Sequence, residues 1–227
     1  MRRLALFTMG MVLAGLSATA FAADPWMVGE KWTYQHEGDV PFRPPGTKIV
    51  GDRTREVIAV QGESEKKRWI IQEKWGDNDE QPAKHHVDAK RMNDKIEMGE
   101  NAALIIDPPF PFDYMDLKAG EEKKYEPKFQ WNENPPMTIK ITAKRVEDES
   151  IKAPAGEFKD CAHVISEETF GFTGQDGQAV AITTMREFWL HPSVNGFVKW
   201  SFSTQVPGRP EASTGTGLLK AYSKEKK

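Results

Sequence analysis

Cys161 and His163 are the residues whose types and spacing come closest to a catalytic pair in this 227-residue chain. They lie two positions apart in a stretch that alternates like a strand, so both side chains are expected on one face. A thiolate beside an imidazole can act as a nucleophile. A reactive cysteine, however, needs cationic neighbours or a helix N-terminus to lower its pKa, and Asp160, Glu167 and Glu168 surround this pair. The sequence therefore favours Cys161 as a small buried residue and predicts no catalytic residue.

The histidines do not predict a metal site. His85 and His86 are adjacent, so in a strand they point to opposite faces and cannot both bind one ion without a bulge. A zinc site needs three or four convergent ligands, and no local spacing of His, Cys and carboxylate residues supplies them. We expect neither a metal nor another cofactor.

The enzyme classes that carry local motifs lack their signatures here. The chain has no G-x-S-x-G elbow, no Walker loop, no H-E-x-x-H motif and no paired C-x-x-C. Asp107 and Asp113 flank one aromatic loop and are the remaining candidates for a general acid and base, a role that only their separation in space could support. A hydrolase without local motifs is therefore the third alternative for function. The two preferred alternatives, a binding protein and an interaction module, catalyse no reaction.

The first 22 residues have the order of a secretory signal peptide. Arg2 and Arg3 precede an apolar run from Leu4 to Leu16, and small residues lead to Ala20-Phe21-Ala22, an A-x-A cleavage site. The apolar run is short for a membrane span of ~20 residues. We expect cleavage after Ala22, a mature chain 23–227 that forms one β-rich domain, and a periplasmic or secreted location.

Composition narrows the class of partners. The chain carries 31 basic and 34 acidic residues with a formal net charge of −3, and no basic cluster marks it for nucleic acid or an anionic membrane surface. No stretch of the mature chain reaches the length of a transmembrane helix. The single cysteine excludes an intramolecular disulfide, so the fold depends on its core, to which seven tryptophans can contribute.

Hydrophobic periodicity is mostly two, which is typical of half-buried antiparallel strands. It predicts an all-β, mainly antiparallel fold, with the sheet curled into an open half-barrel. One face would be concave and lined by Trp69, Ile71, Ile139, Ile141, Trp200 and Phe202. Strands are expected near 30–36, 47–60, 67–75, 83–91, 122–131, 137–147, 158–170, 179–190, 197–206 and 214–222.

Turn residues separate these runs. Asp176-Gly177 and Asn195-Gly196 favour positive φ, and Ala153-Pro154-Ala155-Gly156 suits a turn in which Pro presets φ. Trp189 and Trp200 flank one connection and could pair across two strands. One short helix is expected around 99–106, ending before Asp107-Pro108-Pro109.

Two proline-rich loops, 41–46 and 107–113, are expected to lie outside central strands because Pro donates no ladder hydrogen bond. They present Phe42, Phe110 and Phe112 on stiff backbone. These rings either cover the core as lids or form the rim of a binding mouth. In the second case the candidate ligand-binding residues are Phe42, Phe110 and Phe112 together with Trp69 and Trp200.

Three segments carry a resemblance. They are Val28-Gly29-Glu30-Lys31-Trp32-Thr33-Tyr34, the turn and strand of 151–164 with its Pro-Ala-Gly-Glu-Phe, and 187–200 with Trp189, Pro192, Val194 and Gly196. Together they cover about a fifth of the chain and are similar to bacterial exported proteins of uncharacterised function. That group resembles the LolA/LolB periplasmic lipoprotein carriers in having a curved β-sheet. The motifs are structural, so the resemblance implies a fold and transfers no catalytic residue.

Two functions without a reaction remain. One is a periplasmic binding or carrier protein for a lipid-like or amphipathic small molecule, which would need an apolar cavity of ~300–1,000 Å³. The other is an envelope structural or protein-interaction module that uses a sheet edge or the proline-rich loops and fills its interior with side chains.

Overall fold

The computed structural model describes residues 24–39, 48–76, 79–99, 101–173, 179–208 and 211–224. In these ranges the chain forms one antiparallel sheet of fourteen strands and two short 3₁₀ turns, Ser64–Lys66 and Pro192–Val194. The strands are β1 Glu30–Asp39, β2 Lys48–Gln61, β3 Arg68–Trp75, β4 Ala83–Val87, β5 Met92–Met98, β6 Ala102–Pro111, β7 Glu122–Tyr125, β8 Lys128–Trp131, β9 Met137–Arg145, β10 Glu149–Ala153, β11 Gly156–Thr173, β12 Ala179–His191, β13 Gly196–Gln205 and β14 Ser213–Lys224.

The sheet closes into a twelve-stranded barrel, so the expected open half-barrel is wrong in this respect. The ring runs β11-β12-β13-β14-β1-β2-β3-β4-β5-β6-β8-β9 and is closed by a ladder between β9 and β11, from Arg145 opposite Val164 to Ile139 opposite Phe170. β7 adds to the edge of β9, and β10 pairs with β11. The all-β, antiparallel class is confirmed. Closure removes the free edges that an open sheet would expose along these strands.

The inner face of the barrel follows the alternation in the sequence. Residues directly opposite each other in antiparallel strands share a face, and the register places Ile71 opposite Val57 on one side and opposite His85 on the other. The residues expected on the concave face are all buried: Trp69, Ile71, Ile139, Ile141, Trp200 and Phe202.

The expected helix around 99–106 is wrong, because residues 102–106 belong to β6. A short apolar run does not separate helix from strand by periodicity alone, and here Leu104 and Ile105 pair with both β5 and β8. The prolines of 107–113 do not end the strand either. They fall where β6 bulges, because residues 106–109 lie between the positions opposite Asn93 and Lys95. Pro108 and Pro109 therefore need no ladder hydrogen bond at that point.

The predicted turns join strands as expected where they are described. Ala153 lies opposite Gly156 in the hairpin of β10 and β11, and Asn195 has φ 49° directly before β13. Asp176-Gly177 lies outside the described residues, although β11 and β12 pair up to Thr173 and Ala179 on either side of it.

The expected pairing of Trp189 with Trp200 is wrong. The register places Trp200 opposite Phe188, whereas Trp189 lies opposite Lys199. Successive side chains point to opposite faces of a sheet, so Trp200 faces the interior and Trp189 faces outward, where it stacks on His163.

Residues 112–121 form a strap that crosses one end of the barrel, between the end of β6 and the start of β7. Tyr114 and Leu117 of the strap are buried. The Tyr114 hydroxyl lies 3.3 Å from Ser166 Oγ of β11, and the Leu117 carbonyl accepts a hydrogen bond from Arg145 Nη1 at 3.0 Å. Trp26 lies at the same end of the barrel, where β1 and β3 begin. We call this end the Trp26 end.

Candidate functional site inside the barrel

Three charged side chains form an ion cluster in the barrel interior. Arg53 and Arg55 lie on the inner face of β2, and both donate to one oxygen of Glu73 on β3. Arg53 Nη2 is 2.5 Å and Arg55 Nε is 2.8 Å from Glu73 Oε2. The side chains of Arg53 and Glu73 are each only 8% exposed. Two guanidinium groups therefore share one buried carboxylate.

The cluster shifts the pKa values of its members. Burial alone would raise the pKa of Glu73, but Arg53 and Arg55 hold it far below its ordinary value. Burial lowers the pKa of Arg53 to about 10, against the opposing effect of Glu73. Burial also lowers the pKa of His85, which lies 3.8 Å from Glu73 Oε2, to about 4. At neutral pH His85 is therefore neutral, and the two arginines exceed the one carboxylate by a unit of positive charge.

Aromatic rings cover both guanidinium groups. The Arg53 guanidinium carbon lies 4.5 Å from the ring centroids of both Trp75 and Trp200. The Arg55 guanidinium carbon lies 5.0 Å from Phe112 and 4.9 Å from Phe197. Such cation–π contacts are worth about 2 kcal/mol or more when they are desolvated. The rings thus stabilise charge that is largely removed from water.

The Arg53 side of the cluster is packed more deeply. His36 stacks on Trp200 with ring centroids 5.3 Å apart, and it meets Trp75 edge-on at 4.9 Å. Burial and the nearby Arg53 lower the pKa of His36. Nε of Arg53, Nε1 of Trp200 and Nε2 of His36 are buried and have no hydrogen-bond partner among the described residues.

A polar network fixes the Trp26 end. Arg91, in the turn before β5, donates to Asp113 of the strap at 3.1 Å and to Asn195 Oδ1 at 2.9 and 3.0 Å, and its guanidinium lies 4.4 Å from the Trp26 ring. The amide of Asn195 in turn donates to the carbonyl of Pro25. The segment that carries Trp26 is therefore held against the barrel from two sides.

A small cavity lies beneath this network, next to Arg55. Its volume is about 10 Å³, room for about one water molecule. It is lined by Trp26, Trp32, Tyr34, Arg55, Phe112, Asp113, Asn195, Gly196 and Phe197. The space is far below the ~300–1,000 Å³ of a ligand pocket, so side chains fill the barrel at this site.

The structure brings two of the predicted ligand-binding residues together. Trp69 and Phe112 both contact Trp26 edge-on, with ring centroids 6.4 and 5.8 Å away. Trp200 lies on the Arg53 side of the ion cluster, with the Arg53 guanidinium carbon 4.5 Å from its ring. Phe110 belongs to a different group, since its ring packs on Phe129 of β8 at 5.6 Å. Phe42 lies outside the described residues.

Sequence reasoning missed the charged members of the site, although a signal was present. Arg53 and Arg55 alternate in phase with Val57, and Glu73 has the same phase as Trp69, Ile71 and Trp75. The periodicity that placed the apolar residues on the inner face thus placed these charges there as well. A charged residue at an inward position of such a strand indicates a buried ion pair, because an unpaired charge is rarely buried.

The residues first considered for chemistry lie elsewhere. Cys161 is fully buried as expected, and burial raises the pKa of its thiol to about 11, so the thiol is protonated at neutral pH. His85 faces the ion cluster while His86 pairs with Glu97 on the outer face, which matches the opposite orientations expected. Among the described residues no group of three or more His, Cys, Asp and Glu side chains could hold a metal ion.

Asp107 and Asp113 have different environments. Asp113 is buried at the Trp26 end, where burial raises its pKa while Arg91 opposes the rise. Asp107 lies in β6 opposite Lys128.

Comparison with known proteins supports the fold. The chain is similar to a solved structure from Bacteroides fragilis that is described as an exported protein with a YmcC-like fold. The TM-score is 0.51 and the sequence identity is 13%. The match covers 88% of this chain and 98% of the other. At this identity the likeness concerns the fold alone, and it does not confirm the likeness to LolA/LolB carriers. No protein-family profile and no curated protein sequence matches the chain. Within the described ranges, no helix is long and apolar enough to cross a bilayer.

Proposed function

We propose that the protein is an exported binding protein for an amphipathic small molecule, which it takes up at the Trp26 end of the barrel. Processing after Ala22 would release it to the periplasm or the medium. The observation that carries the proposal is Arg55, a guanidinium inside the barrel that borders a cavity and is covered by the half-buried ring of Phe112. A purely structural core gains little from a charge at such a position.

The residues around the cavity supply both kinds of contact that an amphipathic molecule needs. Trp26, Phe112 and Phe197 offer apolar faces, whereas Arg55 offers hydrogen-bond donors. Because the cavity now holds about one water molecule, binding requires a side chain to move. Phe112 is suited to this, since it is only partly buried, whereas Trp26 is 3% exposed and its carbonyl accepts from Trp69 Nε1 at 3.0 Å.

Tryptophan fluorescence of the mature protein, titrated with decyl-chain amphiphiles, tests the proposal. A saturable change is expected because Trp26 borders the cavity. Phe112→Ser should weaken binding about tenfold, which is the effect of losing ~1.4 kcal/mol of contact. Phe110→Ser is the matched control and should leave binding unchanged, because its ring packs on Phe129 instead. Melting temperatures of both variants show whether they remain folded.

The second candidate is an envelope interaction module, and the filled interior favours it. In that case the tryptophans and the ion cluster stabilise the barrel, and partners contact its outside. The absence of a fluorescence or calorimetric response across the whole amphiphile panel would reject the binding protein and leave this alternative.

A further inference from the structure

We propose that the ligand carries an anionic oxygen headgroup, a carboxylate or a phosphate, and that Arg55 binds it beneath Phe112. This inference rests on the proposed function and names the chemistry of the ligand at the same site.

The hydrogen bonds of Arg55 leave part of its guanidinium free. Nε donates to Glu73 Oε2, but Nη1 and Nη2 have no hydrogen-bond partner among the described residues. The side chain is 12% exposed, so these η nitrogens can be reached from outside by water or by a ligand. Two adjacent η nitrogens match the two oxygens of a carboxylate or phosphate, which they bind in a bidentate arrangement.

Two aromatic rings border the guanidinium of Arg55 and limit access to Nη1 and Nη2. The Arg55 guanidinium carbon lies over both rings, 5.0 Å from the Phe112 centroid and 4.9 Å from the Phe197 centroid. An aromatic face accepts no conventional hydrogen bond from the η nitrogens, so these contacts leave Nη1 and Nη2 without an oxygen partner. The cavity of about 10 Å³ borders Arg55, and movement of Phe112 would enlarge it from one water molecule towards a headgroup.

The charge balance of the ion cluster also favours an anion. Arg53 and Arg55 share the single carboxylate of Glu73, and His85 is neutral at pH 7. Asp113 borders the same cavity, but its carboxylate is already bound by Arg91 Nε and by the backbone N–H of Met115. It therefore does not neutralise Arg55. A bound anion would make the numbers of positive and negative groups equal within the ion cluster, where an unpaired buried charge is costly.

The test compares headgroups on one chain length, using isothermal titration calorimetry of the mature wild-type protein at pH 7.4. The probes are decanoate, decyl phosphate, decanol and decyltrimethylammonium. Decanoate and decyl phosphate should bind roughly 10- to 100-fold more tightly than decanol, the range expected for hydrogen bonds to a charged group. Acetate and inorganic phosphate, which lack the chain, should bind more weakly than either decyl anion.

Two variants test whether Arg55 causes the preference for an anionic headgroup. Arg55→Gln should reduce the affinity for decanoate to that for decanol. Arg68→Gln is the control, because Arg68 pairs with Asp94 and takes no part in the ion cluster. Should Arg55→Gln not fold, the headgroup comparison on the wild-type protein still decides the question.

The outcomes separate this inference from the proposed function. Equal affinity of the wild-type protein for decanol and decanoate would overturn the anionic headgroup and keep the binding protein. Acetate binding as tightly as decanoate would keep the anion site and overturn an amphipathic ligand. Failure of every probe to bind would overturn both.

Discussion

Replacing Glu73 by Gln removes the one negative charge of the interior cluster at nearly constant side-chain volume. Arg53 and Arg55 would then lie in the barrel without a carboxylate, and Arg53 is buried, with 7% of its surface exposed. Breaking a buried ion pair by removing one partner costs about 3–5 kcal/mol. The amide oxygen of Gln can still accept one hydrogen bond, so the lower value, about 3 kcal/mol, is expected.

Chemical denaturation of the mature protein measures this free energy of unfolding directly. In a thermal scan, a loss of about 3 kcal/mol corresponds to a decrease in Tm of roughly 6–12 °C for a chain of this size. Glu97→Gln is the matched control. Glu97 lies on the outer face, where its partners are Lys95 at 2.7 Å and His86 at 3.2 Å. Its side chain is 30% exposed, and surface ion pairs contribute about 0–1 kcal/mol.

The sign of the pH dependence follows from the direction of the pKa shift. Because the pKa of Glu73 is lower in the folded protein than its ordinary value of 4.5, its stabilising effect is complete above pH 4.5 and decreases as the pH falls below it. The difference in stability between wild type and Glu73→Gln should therefore narrow on acidification. His85 also titrates near pH 4, so the comparison is repeated in a His85→Gln background.

A particular result would refute this reasoning. If Glu73→Gln and Glu97→Gln lowered the free energy of unfolding by the same amount, the buried carboxylate would contribute no more than an exposed one. The ion cluster would then have no special part in holding the barrel together.

Two other predictions concern packing and export. Gly217→Ala should destabilise the barrel by about 1–3 kcal/mol, because a Cβ there would overlap the indole of Trp200. Gly171→Ala is the control and should not destabilise it, because the Cβ would meet the Val180 carbonyl at an ordinary contact distance of 3.7 Å. Equal stability of the two variants would contradict the packing argument. N-terminal sequencing of the exported protein should give Ala23 as its first residue, and recovery of the full-length chain from the inner membrane would contradict processing after Ala22.

The strand positions and the inner face could be predicted because they depend on local alternation. Trp69 and Ile71, or Trp200 and Phe202, lie two positions apart and are buried on the same side. The cross-strand partners of Trp189 and Trp200, which are Lys199 and Phe188, could not be predicted. The register shifts after Trp189, and a shift of one residue exchanges the faces. Closure of the barrel could not be predicted either, because it depends on the pairing of β9 with β11, which no local motif encodes.

The candidate site was predicted only in its aromatic part. Aromatic residues are recognised from the sequence as core or rim, and Trp69 and Phe112 meet at Trp26 accordingly. Charged residues are assigned by default to solvent, because burial of a charge is rare without a partner. The partner of Arg53 and Arg55 is Glu73 on the next strand, and it becomes visible only when the register of β2 and β3 is known.

That register also explains why the two ends of the site differ. Arg53 lies opposite Trp75 and Arg55 lies opposite Glu73, so Arg53 is enclosed by tryptophan while Arg55 faces the Trp26 end. Glu73 binds Arg53 through Nη2 at the shorter distance, 2.5 Å, and Arg55 only through Nε. An anion on Nη1 and Nη2 of Arg55 would therefore leave both contacts of Glu73 in place. If the protein binds an anion as proposed, the same carboxylate would stabilise the fold while Arg55 binds the ligand, so stability and recognition would not compete at this cluster.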